Sequence, residues 1–418
     1  MNTESNKPKL FYGWVIVMGG MFVMGTVIGI GWNCFSQFIK PVCADMGFSR
    51  QAMGTNMTLL SFSQMFVNFS WGTITKKISL KKLMRFASVL NPLAYFCYSF
   101  AQNIWMFYIC SVVIGITMIM LTTLAFSLIL SNWFHEKRGT ALGITTMGTG
   151  IGGMLLNPVA ASLIESFGWR TAYQVLAVVI FICTVIPVWF LIRVRPEEMG
   201  LKPLGWEKEL AAAGGHVPEE EGMLFKDLIK TGRFRAVCLC VCFSSTAIGT
   251  LTQLMSPHLT DNGYSTSAAA LMVSVCMAAL AIGKMSLGMI YDKLGTRKST
   301  LLSISCGLIG LTGMVLCANK LMLPLIVIGQ CFGSSFGTVG VPVITQNLFG
   351  KRDYSQCYGF IAACSSVGGA ISPTLNGAVF DRMGSYNPAF LLWISLLIVA
   401  LCVFYIVLPR SEKKEVRA

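Results

Sequence analysis

Few residues in this chain could do chemistry, and their placement limits what that chemistry is. Lys284 lies inside the apolar run 267–291. A charge there costs ~2.5–3.5 kcal/mol on insertion scales, so it normally faces a cavity and a partner. Ser274, Met277, Ala281 and Gly288 share its helical face, and that stripe suits a neighbouring helix or a cavity better than lipid. The alternative is snorkelling, because Tyr291 is only about 10 Å further along a helix. The acids are informative by where they are missing. All 18 Asp and Glu lie in loops or at the ends of apolar runs. No paired carboxylates and no nucleophile–base set occur, so no enzyme chemistry and no cofactor are expected. His258, following Pro257, is the one titrating candidate for coupling within a span; its other reading is a hydrogen-bonded interfacial histidine.

Other features read as packing. Gly148-Thr-Gly150-Ile-Gly152-Gly153 has the outline of a nucleotide loop, yet it sits in an apolar span with no strand before it. Helix packing at small residues is expected there. Cys238, Cys240 and Cys242 alternate around a helix and do not converge, so no metal site is expected. Most of the 15 Cys fall inside spans, where they act as small apolar residues rather than disulfide partners. Asn33, Gln64, Thr123, Asn157 and Gln253 are polar residues within apolar runs. Each is a candidate contact for a bound solute or a buried bond between helices.

Membrane helices must position these residues. Of 418 residues, 54% are hydrophobic and 12% charged, too apolar a balance for a soluble domain. Twelve runs are long enough to cross a bilayer: about 11–37, 52–75, 83–102, 104–132, 139–166, 171–192, 236–260, 267–291, 299–318, 321–347, 357–381 and 386–408. The first is followed by polar residues without a cleavage site and reads as an uncleaved helix. With both termini cytoplasmic, 26 Lys and Arg fall inside and 5 outside, which fixes the orientation. The net charge of +14 therefore needs no nucleic-acid partner.

The expected fold is an all-α membrane protein of twelve transmembrane helices in two six-helix bundles. Residues 1–192 form the first bundle, 193–235 a cytoplasmic linker, and 236–418 the second bundle with a short cytoplasmic tail. The linker carries eight basic and eight acidic residues and the breaker run Ala211–Gly215. Its segment Leu224–Ile229 reads as a short amphipathic helix at the membrane surface. An internal repeat supports the 6+6 reading. Asn132-Trp133-Phe134 answers Asn347-Leu348-Phe349, Gly152-Gly153 answers Gly368-Gly369, Pro158 answers Pro373, and Phe167-Gly168 answers Met383-Gly384. A monomer in the lipid bilayer of the cell membrane is expected, the inner membrane in a Gram-negative source.

The segment Gly288-Met-Ile-Tyr-Asp292-Lys293-Leu-Gly295-Thr-Arg297-Lys298 resembles the signature of the major facilitator superfamily. In that setting Gly288 lets two helices approach, Asp292 caps or pairs at a helix end, Gly295 turns the chain, and Arg297 with Lys298 anchors the inner side. The matching loop, Gly72-Thr-Ile-Thr-Lys76-Lys77-Ile-Ser79, departs from the pattern, with Lys76 for the acid and Ser79 for the glycine. A narrower resemblance rests on Phe11-Tyr12-Gly13-Trp14, Trp133-Phe134-His135-Glu136-Lys137-Arg138-Gly139 and Gly168-Trp169-Arg170. These are similar to the monocarboxylate transporters and their bacterial oxalate:formate-antiporter-like branch. That resemblance implies a cation in helix 8, a slot held here by Lys284, acting on a carboxylate as a point charge. It also implies that the acid of several relatives is replaced by Leu280, a second cation by Ser365, and helix 10 aromatics near Ser334 and Thr338.

The expected function is a secondary transporter of a small organic anion, a monocarboxylate, working by alternating access, with exchange and proton linkage both open. An exporter of neutral or amphipathic compounds is an alternative of the same fold and leaves Lys284 dispensable. A non-transporting membrane sensor or scaffold is the alternative of another class.

Overall fold

The computed structural model describes residues 11–212 and 224–409. Lys7, Lys9, the end of the run Ala211–Gly215 and the basic tail from Arg410 lie outside the described residues. Seven segments are long and apolar enough to cross a membrane: Gly13–Asn33, Ile104–Trp133, Arg138–Leu191, Gly232–Asp261, Ala268–Val315, Lys320–Phe349 and Asn387–Val407. Arg138–Leu191 has 54 residues and Ala268–Val315 has 48. Both far exceed the ~20 that one crossing needs. Each breaks at a glycine of positive φ, Gly168 at 81° and Gly295 at 76°, where a side chain would strain the backbone.

Dividing those two, and adding the less apolar helices Arg50–Lys77, Leu80–Tyr98 and Tyr354–Met383, gives twelve rods among the described residues. They are α1 (Gly13–Asn33, running on through Phe35–Met46), α2 (Arg50–Lys77), α3 (Leu80–Tyr98), α4 (Ile104–Trp133), α5 (138–167) and α6 (169–191). After the linker come α7 (Gly232–Asp261), α8 (266–294), α9 (296–315), α10 (Lys320–Phe349), α11 (Tyr354–Met383) and α12 (Asn387–Val407). The twelve apolar runs of the sequence fall on these rods. Polar side chains satisfy several free N-termini: Ser49 accepts from Ala52 N–H, Asn103 from Met106, Thr231 from Phe234 and Ser265 from Ala268.

The two halves of the chain meet along two seams. In the first, α5 crosses α8. A Cβ on Gly288 would lie 2.1 Å from the Gly139 carbonyl oxygen, so only paired glycines allow this approach. The glycine-rich run is packing as expected, with Gly150 against Ala281 and Gly152 against Gly25. In the second seam, α2 meets α11. Asn68 donates to Ser366 Oγ at 3.1 Å, and the Phe69 and Phe360 rings meet edge to face at 5.6 Å. All the side-chain hydrogen bonds and ring contacts that join the halves, among the described residues, lie from Thr149, Lys284, Asn68 and Ser366 toward the linker end. The bundle is latched at that end.

Lys76 takes part in the latch. Its Nζ donates to Asp353 Oδ1 at 2.8 Å, and Asp353 Oδ2 accepts the Phe225 N–H at 3.0 Å. Burial alone would raise the Asp353 carboxyl, but the Lys76 ammonium and the Phe225 N–H hold it below the usual carboxylate range. The departure of the 72–79 loop from the signature is therefore not a loss of charge pairing. The acid stands on the other side of the seam. The same contact holds Leu224–Ile229. Only the single turn Phe225–Leu228 is helical, with Phe225 and Leu228 toward the protein and Leu224, Lys226 and Asp227 exposed. Phe225 packs against Phe234 and Phe360, and Leu228 is buried.

Charge reversal tests this latch. Lys76→Asp and Asp353→Lys should each raise maleimide labelling of the buried Cys357 about two- to fivefold, as loss of an ion pair worth up to ~1 kcal/mol implies. The double variant should return it toward wild type, read peptide by peptide in the mass spectrometer. Because the folded carboxyl titrates below the unfolded value of about 3.9, the pair contributes fully above that pH and fades only as pH falls further. Normalised at each pH to the same cysteine in unfolded protein, which removes the thiolate dependence of the reagent, labelling should stay flat from pH 8 to 5, whereas a normalised rise on acidification to pH 5.5 would contradict the assignment.

Candidate functional site

Lys284 stands where α8 crosses α5. It is 4% exposed, and its Nζ donates to Thr149 Oγ1 at 2.5 Å. The side chain thus does not snorkel; its charge is held at the seam. The Thr149 carbonyl accepts from Asn33 Nδ2 at 3.4 Å, and the Asn33 amide fills the space where a Cβ on Gly153 would stand. Lys284, Thr149 and Asn33 form one polar chain across α8, α5 and α1. An ammonium has three donors, and a single neutral hydroxyl uses one. No Asp or Glu pairs with Lys284 among the described residues.

Thr149 was not among the candidates read from the sequence. It is embedded in the glycine run, and its small-residue neighbours mark packing rather than polarity. The available signal was its place on α5, the helix whose Gly143 and Gly139 face α8.

The remaining candidates are spread along the two halves. Gln64 Nε2 lies 3.6 Å from Met118 Sδ inside the first half. Asn157 donates to the Gly153 carbonyl at 2.9 Å, and its buried Oδ1 has no partner. In the second half, Gln330 donates to Thr252 at 2.8 Å, and Ser334 donates to Gln330 Oε1 at 2.9 Å. Gln253, beside Thr252, is exposed. Thr338 donates to the Ser335 carbonyl at 3.5 Å. Ser365 is half-buried next to Ser366, the residue that bonds Asn68.

Four of these candidates sit on or beside helix irregularities. Asn33 ends a π-wound turn of α1, Gly29–Asn33. Thr123 follows an extended residue, Thr122, that breaks α4. Ser334 follows the π-wound turn Gly329–Gly333 of α10, and Thr338 lies within the next, Phe336–Gly340. Such turns free backbone groups from the regular ladder and recur at functional sites.

His258 lies elsewhere. It is buried inside the second half, where a ring nitrogen meets the Met314 carbonyl at 3.0 Å and the ring packs edge-on against Phe390. Arg297 also stays within the second half, donating to the Tyr405 carbonyl at 2.8 Å and stacking over its ring. Asp292 does cross the seam. It accepts from the Gly139 N–H at 2.8 Å and from the Thr140 N–H and hydroxyl at 2.6 and 2.5 Å. It thereby caps the positive N-terminus of α5 from the opposite half. Gly288 and Gly295 border it, as the close approach and the chain turn described above. A small cavity lined by Ile30, Asn56, Tyr95, Tyr98 and Tyr173 lies within the first half, away from Lys284.

Arg138 was counted from the sequence with the loop charges, and the structure corrects this. It is 7% exposed, and its guanidinium lies over the Tyr354 ring at 5.0 Å. The loop before it closes so tightly that Lys137 adopts φ 61°, which turns Arg138 inward at the start of α5.

Long apolar helices, two seams between the halves and a cation at mid-helix in one of them define a membrane transporter rather than an enzyme. The chain belongs to the Major Facilitator Superfamily, whose sequence profile matches residues 21–373 and 237–418. It is similar to monocarboxylate transporter 12 of Xenopus laevis, 24% identical over 406 residues, 92% of this chain and 86% of that one. It is also similar to monocarboxylate transporter 13 of Rattus norvegicus, 22% identical over 93% of this chain and 87% of that one. Among solved structures, a proton:xylose symporter of the superfamily superimposes with a TM-score of 0.76, covering 95% of this chain and 96% of that one. Its identity is 13%, so this likeness concerns the fold alone.

A double-mutant cycle tests the seam bond. Thr149→Val should lower thermal unfolding stability by about 1–3 kcal/mol, the range for a lost bond to a charged group, and Thr149→Ser should restore most of it. In a Lys284→Met background the same Val substitution should change little. Additive losses would show that the two residues do not communicate.

Proposed function

We propose that this protein is a secondary active transporter of a small organic anion, a monocarboxylate. The observation that carries this reading is the Lys284 ammonium, buried at the seam with one neutral partner and, among the described residues, no carboxylate. A buried charge left so lightly compensated favours an ion that comes and goes over a permanent salt bridge. Asn33 and Thr149 would turn toward the same carboxylate. Gln64, Thr123 and Asn157 on one side, and Gln253, Ser334, Thr338 and Ser365 on the other, are the candidates for the rest of the solute.

In this reading residues 1–192 and 236–418 are two bundles that rock against each other, joined by the linker 193–235. The excess of Lys and Arg in those loops supports a cytoplasmic linker and cytoplasmic termini in a multi-pass cell-membrane protein. The latched linker end then faces inward, and the binding region opens outward. Asp292 and the Lys76–Asp353 pair are the inner gate. They govern how often the gate opens and leave intrinsic affinity largely unchanged.

Lys284→Ala should abolish binding of a carboxylate panel in a thermal-shift screen of purified protein, and Lys284→Arg should retain part of it. Leaving the anion desolvated without its partner corresponds to about 3–5 kcal/mol, more than a hundredfold in affinity. Unchanged binding and uptake by the Ala variant at equal expression would refute the assignment and favour a carrier of neutral compounds.

Coupling follows from the missing acids. Leu280 fills the slot that holds a carboxylate in several relatives, and no other acid lies deep in a span. Exchange of one anion for another needs no proton relay, since Lys284 is neutralised by substrate in both half-cycles. In proteoliposomes, counterflow should exceed net uptake and survive His258→Gln. Strong pH-gradient-driven accumulation into empty vesicles that is lost in His258→Gln would overturn exchange in favour of proton symport.

A further inference from the structure

We propose that Arg138 is a second anion-binding residue, the one that receives the substrate carboxylate on the linker side once the gate opens. This rests on the anion-transport reading above. Three observations converge on it. Its guanidinium is buried, yet Nε and Nη1 have no hydrogen-bond partner; what meets it is neutral, a long contact of 3.4 Å from Nη2 to the Ser127 carbonyl and the Tyr354 side chain. No acid pairs with it among the described residues. Its inward direction comes from the αL backbone of Lys137, where φ of 61° is otherwise confined to glycines among the described residues. Strain of that kind persists where the surroundings enforce it and clusters at binding and switch regions.

Its position gives the ligand. Arg138 stands at the first turn of α5, between Ser127 of α4 and Tyr354 of α11, and Tyr354 in turn donates to the Pro342 carbonyl of α10 at 3.3 Å. These helices belong to both halves, so separating the halves at the linker end uncovers the guanidinium. The adjacent residues Gly139 and Thr140 are the ones Asp292 holds, so the clamp that closes the gate also keeps Arg138 under Tyr354. Arg138 precedes Thr149 by eleven positions on one helix, about 16 Å along its axis. An anion leaving Lys284 toward the linker end passes from one uncompensated cation to the next. The planar guanidinium can bind a carboxylate through two parallel N–H bonds, which Lys284 cannot.

Arginine-selective labelling with phenylglyoxal tests this, with simple carboxylates as the probes. Arg138 modification is followed by mass spectrometry in wild type and in the gate variants Asp292→Asn and Lys76→Asp. Labelling should rise about tenfold in at least one gate variant. Acetate, lactate, pyruvate or benzoate should suppress that rise at least fivefold, and the corresponding neutral amides should not. Suppression should persist in an Asp292→Asn, Lys284→Ala double variant, which separates this site from the one at Lys284. A structural guanidinium would label equally with and without carboxylates, and that result overturns the proposal. Absence of labelling in both gate variants overturns it as well, because Arg138 would then never meet the pathway. If carboxylates protect Arg138 while Lys284→Ala leaves panel binding unchanged, the proposed role of Lys284 fails and that of Arg138 stands.

Discussion

A cation withdrawn from water must be answered by something, and the organisation around the α5–α8 seam follows from how little answers Lys284. Among the described residues its ammonium has one hydroxyl within bonding distance and no carboxylate. Apolar surroundings penalise an uncompensated charge heavily, so such a side chain is retained where an ion of opposite sign arrives from outside. Because Lys284 belongs to one half and Thr149 to the other, the same bond also ties the halves together. An anion that captures the ammonium competes with that tie. Binding and loosening of the seam are then one event, which is what coupling a ligand to a conformational equilibrium requires.

The linker end shows the same economy. A carboxylate stands at the start of one helix in each half: Asp292 accepts the N–H groups that open α5, and Asp353 occupies the N-cap position of α11 without bonding its N–H groups. The two devices differ in where the acid stands. Asp292 reaches across the seam to foreign backbone N–H groups, whereas Asp353 stays at its own helix and Lys76 reaches across to it. Both place a negative group at a helix start and tie the halves there, Asp292 through three bonds and Asp353 through its pair with Lys76. Lys76 is largely exposed, and exposed pairs are worth at most ~1 kcal/mol. Weak latches suit a gate that has to open repeatedly, since two states differing by a few kcal/mol are both visited.

Much of this was legible in the residues. Apolar runs and one lysine without a nearby acid announced the helices and the cation at mid-span, and the resemblance to the superfamily signature marked Gly288 and Asp292. What escaped had physical causes. Arg138 sits among loop residues and carries a loop-like charge, and only the αL turn at Lys137 directs it inward. Thr149 is hidden in a glycine run whose packing signal is stronger than its polarity. The pairing of Lys76 joins positions 277 residues apart, and the relevant acid lies in a different loop from the one the signature points to. The π-wound turns of α1 and α10 each contain glycine, and with 41 glycines in the chain that residue does not mark them out.

Those turns divide the helices into two mechanical kinds. Between Gly139 and Thr149, and between Lys284 and Asp292, α5 and α8 keep an unbroken helical ladder, the first interruption in α5 coming later, at Pro158. They act as stiff members, so a displacement at the Asp292 clamp is felt at Lys284 without being absorbed on the way. By contrast, α1, α4 and α10 are interrupted at Gly29–Asn33, at Thr122 and at Gly329–Gly340, beside Asn33, Thr123, Ser334 and Thr338. An interrupted helix offers unpaired backbone groups and bends at lower cost than a regular one. The polar candidates for the solute are therefore carried on adaptable segments, while the cation and the gate are carried on rigid ones. A carrier with that division can reshape its contacts around the solute and still transmit occupancy of Lys284 to the gate, and stiff helices throughout would allow only the second of these.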